Sequence, residues 1–204
     1  DNKTWKSWMT FVIMAQMGSG IMIKLSILIA TMPERWLSFG NLTSSLSQKI
    51  EYLGLEDYIE IISDISMEYN IGVKRNKLLA MANGEYIVFV DDDDKVSPNY
   101  VSLILEAIKT GADCIGINGT MTTNGHTLQQ WFISKEYQCW YMENYIYYRT
   151  PNHISPVRRE LALQAGFPEI AFAEDAEYSR RLLPLLKTET IITEPLYHYD
   201  YWQK

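Results

Sequence analysis

The chain has 204 residues, is 47% hydrophobic and carries a net charge of −7. That is enough apolar material for one domain with a real core. Lys and Arg are scattered rather than clustered, which excludes the basic stripe that a nucleic-acid surface needs. Cys114 and Cys139 have no metal-ligand spacing and cannot form a disulfide framework, so reduced thiols in a cytoplasmic protein are expected.

Residues 1–21, "DNKTWKSWMTFVIMAQMGSGI", differ from the rest of the chain. The apolar run Trp8 to Ala15 is too short to span a bilayer, and no small-residue cleavage site comes after it. "MGSG" resembles a linker and Met22 stands just before a strand. Residues 1–21 are therefore expected to form an extension or loosely attached arm, and 22–204 the domain. The Trp and Met residues of the arm also suit a membrane-surface helix, so membrane association is expected only through this segment.

From Met22 the pattern alternates. "IKLSILIA" (23–30) is a continuous β-favouring run of the kind a buried parallel strand shows. In 35–54, Trp36, Leu37, Leu42, Leu46, Ile50 and Leu53 recur at helical spacing, and Gly54 suits the helix end. "YIEIISDIS" (58–66) reads as a second strand, and "GVKRNKLLAMANG" (72–84) as a second helix closed by Asn83-Gly84. "YIVFV" (86–90) is a third strand. A third helix, 97–111, is expected to start with Ser97 as N-cap and Pro98 at its first position and to stop at Gly111. "DCIGINGT" (113–120) is a fourth strand. Strands separated by such helices imply right-handed βαβ units. The expected fold is one Rossmann-like α/β domain, a mainly parallel sheet with helices on both faces.

After Thr120 the chain becomes rich in Trp, Tyr, Phe and Thr, with Asn124-Gly125 as a hairpin turn signal, so a small antiparallel insertion is expected. Its run "WYMENYIYY" suits the packing of an antiparallel layer, and such rings could also stack on sugar C–H faces. Helices are then predicted over 156–165 and 174–186, and a last strand over 190–199.

Ligands of open α/β sheets bind beyond the carboxyl ends of the strands. Asp91 to Asp94 lie at such an end, directly after "YIVFV". One or two acids there would be explained by the N-terminus of the next helix. Four at a strand end instead suit hard cations, Mn²⁺ or Mg²⁺, completed by waters and substrate phosphates.

"GVKRNKLLAM" and then "ANGEYIVFVDDDD" resemble the core of the family 2 glycosyltransferases of the GT-A fold. "LSILIATMPER" (25–35) matches that family's first strand and turn, "FAEDAEYSRRL" (172–182) its later Glu-Asp motif, and "PLYHYDY" (195–201) its terminal strand. The resemblance runs from about Lys24 to Tyr201. It implies a hexosyltransferase-type enzyme that moves a sugar from a nucleotide-sugar donor, UDP-linked in most of the family, to a hydroxyl of a glycan or other acceptor with inversion. A divalent cation would stabilise the departing diphosphate.

By position, the resemblance makes Asp93 the metal-ligating aspartate, with Asp91 completing the Asp-x-Asp spacing and Asp92 placed to reach the ribose. Asp94 either supports the others from behind or faces water. Asp175 is the candidate general base that takes the acceptor proton, and Glu174 supports the acceptor or the loop. Lys74 and Arg75 are candidate diphosphate or nucleotide contacts. Thr31, Pro33, Glu34 and Arg35 form the turn where the family holds nucleobase and ribose. Asp64 ends the strand where the family uses an acid to read the base, although "SDISMEYN" departs from the usual Asp-Asp-Gly-Ser turn. His198, in the last strand, is a candidate further metal ligand, and also suits a structural role between tyrosines. His153 precedes the helix leading to Glu174-Asp175 and could line the donor-sugar or acceptor pocket. Two rival readings are a nucleotide-sugar-binding module without turnover and a nucleotidyltransferase. The latter needs a Gly-rich phosphate loop, and "ATMPER" contains no glycine.

Overall fold

In the computed structural model, which describes residues 10–13 and 22–202, strand β1 (Thr10–Ile13) lies antiparallel on the outer edge of a sheet. Its backbone pairs with residues 61–64; the other residues of the expected arm lie outside the described ones. β2 (Leu25–Ala30) leads through a short 3₁₀ turn into α1 (Trp36–Tyr52), and β3 (Ile59–Asp64) into α2 (Ile71–Met81). β4 (Tyr86–Phe89) reaches the acidic turn, after which come β5 (Lys95–Val96) and α3 (Tyr100–Ile108). Then come β6 (Cys114–Thr123), β7 (His126–Ile133), β8 (Tyr141–Glu143) and β9 (Ile146–Arg149). β10 (Val157–Arg158), α4 (Arg159–Ala165), α5 (Glu174–Leu182) and β11 (Glu189–Tyr201) complete the order.

The strands form one sheet in the order β1-β3-β2-β4-β10-β6-β7-β9-β8, with β11 paired to β5 and β6. β2 is parallel to both β3 and β4, and β6 is parallel to β11. Because β2 is buried on both sides, its residues divide by parity. Leu25, Ile27 and Ile29 pack with Leu42 and Leu46 of α1 and Ile104 of α3, while Leu28 packs with Leu78 of α2 and Tyr178 of α5. Helices therefore cover both faces, and all strand carboxyl ends of the parallel core open on one rim.

Several boundaries differ from expectation: α3 stops at Ile108 and α5 at Leu182, short of 111 and 186, and three further differences bear on the frame around the site. α3 starts at Tyr100 rather than beside Ser97: the buried Ser97 hydroxyl makes no capping bond, and the Ser97 N–H extends the β5–β11 pairing to Leu196 O (2.8 Å). α2 ends at Met81, capped by Ala82 in extended backbone, rather than at Asn83-Gly84. Gly84 is required for another reason: a Cβ there would meet the Ser26 backbone N at 2.6 Å. The helix expected over 156–165 gives its first residues to β10, antiparallel to both β4 and β6. The Asn124-Gly125 turn is present with both φ positive, and Asn144-Tyr145 repeats that geometry between β8 and β9. Among the described residues, no helix is long and apolar enough to cross a membrane.

Candidate active site

Residues 91–94 close into a turn by an Asp94 N–H to Asp91 O bond of 3.2 Å. Four adjacent carboxylates repel one another, and partners drawn from elsewhere in the chain meet them: Arg75 and His153 at Asp91, Arg35 at both Asp92 and Asp93, and Tyr197 at Asp94. Asp91 accepts from Arg75 Nη2 at 3.0 Å, and its other oxygen lies 3.1 Å from His153 Nε2. Burial pushes the Asp91 carboxyl up, but His153 and then Arg75 outweigh it and hold the group well below the usual carboxylate range. Asp92 is turned inward, accepting from Thr31 Oγ1 at 2.6 Å and Arg35 Nη1 at 2.8 Å. Asp93 is half exposed, with Arg35 Nη1 at 2.9 Å. Burial raises its pKa against the pull of Arg35.

Asp94 accepts from the Tyr197 hydroxyl at 2.7 Å, while the same hydroxyl oxygen accepts the Asp91 N–H at 3.0 Å. Burial, and next the Asp91 charge, push the Asp94 carboxyl up to about 9. The Tyr197 phenol is raised well above its ordinary value by burial and by Asp94.

Beside the turn lies a cleft of about 450 Å³, lined by Thr31, Met32, Arg35, Ser66, Met67, Tyr69, Lys74 and Arg75 with Asp91, Asp92 and Asp93. The size suits a ligand-binding cleft. Several residues occupy other places than the sequence implied. Asp92, expected at the ribose hydroxyls, has an oxygen on each of Thr31 and Arg35, so its charge is used to fix the turn after β2. Pro33 and Glu34 belong to the 3₁₀ turn and face solvent rather than lining the cleft, where Met32 and Arg35 stand instead. Asp64 is buried and accepts the Ser66 N–H at 2.7 Å. The wall beyond β3 is therefore Ser66, Met67 and Tyr69.

Arg75, expected to meet phosphate, is a buried link. It stacks on Phe89 and Phe167 at 5.8 and 5.6 Å, and gives Nη1 to Glu174 Oε1 at 2.6 Å while Nη2 holds Asp91. Lys74 lines the cleft but its Nζ donates to Thr31 O at 2.5 Å, and burial draws its pKa down against the attraction of Asp64 and Asp92.

α5 carries the two remaining acids. Ala173 precedes it in left-handed backbone (φ 62°), a turn that directs Glu174 inward to Arg75. Asp175 is partly exposed. Its Oδ1 takes the Ala176 N–H at 2.8 Å, and its Oδ2 lies 4.0 Å from His153 Nδ1. His198 does not join this group: its ring nitrogens lie at 2.8 Å from Thr120 Oγ1 and 3.2 Å from Asp200 Oδ1. Strand side chains alternate, so His198 and Asp200 share the face opposite Tyr197, and Tyr197 is the member of β11 that reaches the acidic turn.

Motif reading does not single out Tyr197. Its signal is the period of two in "YHYDY", which separates Tyr197 and Tyr199 from His198. Met32, Met67 and Tyr69 escape it as well, because they sit on irregular segments without a motif.

The profile described as "Glycosyl transferase family 2" matches residues 52–164 of this chain. A curated relative, "Putative glycosyltransferase EpsH" of Bacillus subtilis (strain 168), is 26% identical over 162 residues, covering 73% of this chain and 46% of its own length. Crystal structures of S. aureus TarS, residues 1–349, overlay with TM-scores of 0.63 at 16–17% identity, alone and in complex with UDP-GlcNAc or UDP. They share the fold, over 87% of this chain and 60% of theirs for the structure without ligand. The chain thus spans less than half of the curated relative and under two thirds of that TarS fragment. With the mixed sheet, the acidic turn at its rim and the family profile in agreement, the chain has the GT-A arrangement and belongs to glycosyl transferase family 2.

Proposed function

We propose that the domain transfers a sugar from a nucleotide-linked donor, UDP-linked in the first instance, to a hydroxyl acceptor with inversion at the anomeric carbon. One observation carries the reading: the Arg75 guanidinium ties Asp91 of the acidic turn and Glu174 of the Glu-Asp corner into one rigid unit. Donor binding and acceptor activation need two acidic centres held in fixed register, and a forked guanidinium supplies that geometry. The TarS complexes with UDP and UDP-GlcNAc on the same fold support a UDP-sugar as the first donor to test.

The diphosphate end of the donor is assigned to the cleft beside Asp91 and Asp93, with Thr31, Arg35 and Lys74 along its floor. Among the described residues, no group of three or more His, Cys, Asp or Glu forms a ready metal cage. Two cleft-lining carboxylates nevertheless fit Mn²⁺ or Mg²⁺, since such cations keep waters and take further oxygens from substrate phosphates. Asp93 and Asp91 would hold the cation, which when bound supplies Lewis-acid stabilisation of the leaving diphosphate. Arg35 lies across Asp92 and Asp93 and neutralises the turn without a ligand. Asp175 takes the proton of the attacking hydroxyl, since one of its oxygens is fixed by its own helix and the other, 4.0 Å from His153 Nδ1, makes no hydrogen bond.

Titration calorimetry with UDP and Mn²⁺ tests the donor half. Binding that Asp93→Ala abolishes is expected, and unchanged binding refutes the metal assignment. Release of UDP from UDP-GlcNAc in the absence of acceptor tests turnover. Asp175→Asn should stop it while sparing UDP binding; retained turnover removes Asp175 as base. Binding of the donor by the unaltered chain with no release would favour the binding-module reading.

A further inference from the structure

His153 is the one side chain among the described residues that lies against both Asp91 and Asp175. Its side chain is 10% exposed. Nε2 stands 3.1 Å from Asp91 Oδ2, and Nδ1 stands 4.0 Å from Asp175 Oδ2. Nδ1 is buried and has no hydrogen-bond partner. A buried ring nitrogen without a partner is uncommon and calls for a reason.

The segment around His153 is braced on two sides. His153 O accepts the Phe89 N–H at 2.9 Å, which ties the segment to β4 just before the acidic turn. On the other side Ser179 Oγ of α5, one helical turn after Asp175, donates to Pro151 O at 2.7 Å. Between these anchors Asn152 Oδ1 accepts the Ile154 N–H at 3.1 Å. The ring is thus carried by a stiff segment pinned both to the strand that presents Asp91 and to the helix that presents Asp175.

We propose that His153 is a positioning residue: its two ring nitrogens hold the Asp91 carboxylate at the donor cleft and the Asp175 carboxylate at the acceptor side in one register. Asp175 Oδ1 is already fixed by its own helix, so the direction of Oδ2 is set by what faces it, and that is Nδ1. A small closing movement brings the 4.0 Å contact into hydrogen-bond range. The inference rests on the reading of Asp175 as the base, and goes beyond it by naming what aims that base.

The two arms separate by substitution, because a Gln amide reaches the place of Nε2 and an Asn amide that of Nδ1. His153→Gln should keep UDP affinity within about twofold and lower the turnover of UDP-GlcNAc hydrolysis roughly 10- to 100-fold. His153→Asn should raise the donor KM several-fold with turnover much less changed. Both variants lowering turnover and raising KM alike, as a merely structural residue would, overturns the proposal. A second measurement is independent of activity. In proton–nitrogen correlation NMR of histidine-labelled protein, where the chain has only 3 histidines to assign, both Asp91→Asn and Asp175→Asn should move the His153 ring signals. Signals that ignore Asp175→Asn in a chain that turns over the donor overturn the bridge alone. A chain that neither binds UDP nor releases it from the donor overturns the functional reading, and the base-aiming role with it.

Discussion

Arg75 and Glu174 meet at 2.6 Å across 99 residues of sequence, and both are almost wholly removed from solvent. Removing one partner of a buried pair leaves the other charge uncompensated, which costs roughly 3–5 kcal/mol. Arg75→Met should therefore lower the unfolding free energy by about that amount in urea titration. Arg75→Met combined with Glu174→Met should recover much of the loss, because an apolar replacement of the whole pair is often neutral. Turnover should stay low in the double variant, since Asp91 has also lost its guanidinium. A single variant as stable as the parent would show that the pair carries no structural weight.

Arg35 answers for two charges at once, with Asp92 at 2.8 Å and Asp93 at 2.9 Å from the same nitrogen. A cation on Asp93 must compete with that guanidinium, whereas a diphosphate would be drawn to it. Arg35→Ala should thus tighten Mn²⁺ binding in the absence of nucleotide and weaken UDP binding, each by roughly 1 kcal/mol, or five- to tenfold. Calorimetry in the two orders of addition reads both signs. Weakening of both would mean that Arg35 only shapes the turn.

The parallel core was legible because its strands are buried on both faces, so runs such as "ILIA" are apolar throughout and stop where the strand stops. The acidic turn was legible as a candidate site for the same reason: Asp91 follows just after β4 has ended. What neutralises that turn was not legible. Arg35, Arg75, His153 and Tyr197 come from four segments, and only the fold brings them together. The choice between Tyr197 and His198 turns on strand parity, and β11 contains register shifts on both sides of Pro195 that no local pattern announces. β10 is equally opaque, since its residues lie against a helix start and pair only because β4 and β6 leave a gap between them.

Gly119 of β6 lies under the strand that carries Tyr197. A Cβ there would meet Tyr197 O at 2.0 Å and Trp131 Cζ2 at 2.5 Å, and the first of these is backbone that cannot swing aside. Gly119→Ala should cost about 1–3 kcal/mol by overpacking. Because the clash pushes on Tyr197, it should also loosen the acidic turn and weaken UDP binding in Mn²⁺. Measuring stability and UDP affinity together is the check. A destabilised variant with full UDP affinity would separate β11 packing from the site.

Asp91 and Asp94 should bend the stability profile in opposite directions. Asp91 is held below the ordinary carboxylate range in the folded chain, so its contribution is present at neutral pH and is lost as the pH falls through that range. Asp94 is raised to about 9. Between the ordinary aspartate value of about 3.9 and that pKa, the folded chain keeps a proton that the unfolded chain has released. The folded state then binds more protons, and its unfolding free energy declines as pH rises through this window. Asp94→Asn cannot ionise and still accepts from the Tyr197 hydroxyl through its amide oxygen. Its stability relative to the parent should therefore climb steadily from about pH 5 to about pH 9 in urea titrations. Parallel profiles for the two proteins would show that Asp94 is ionised in the fold and that Tyr197 stabilises its charge.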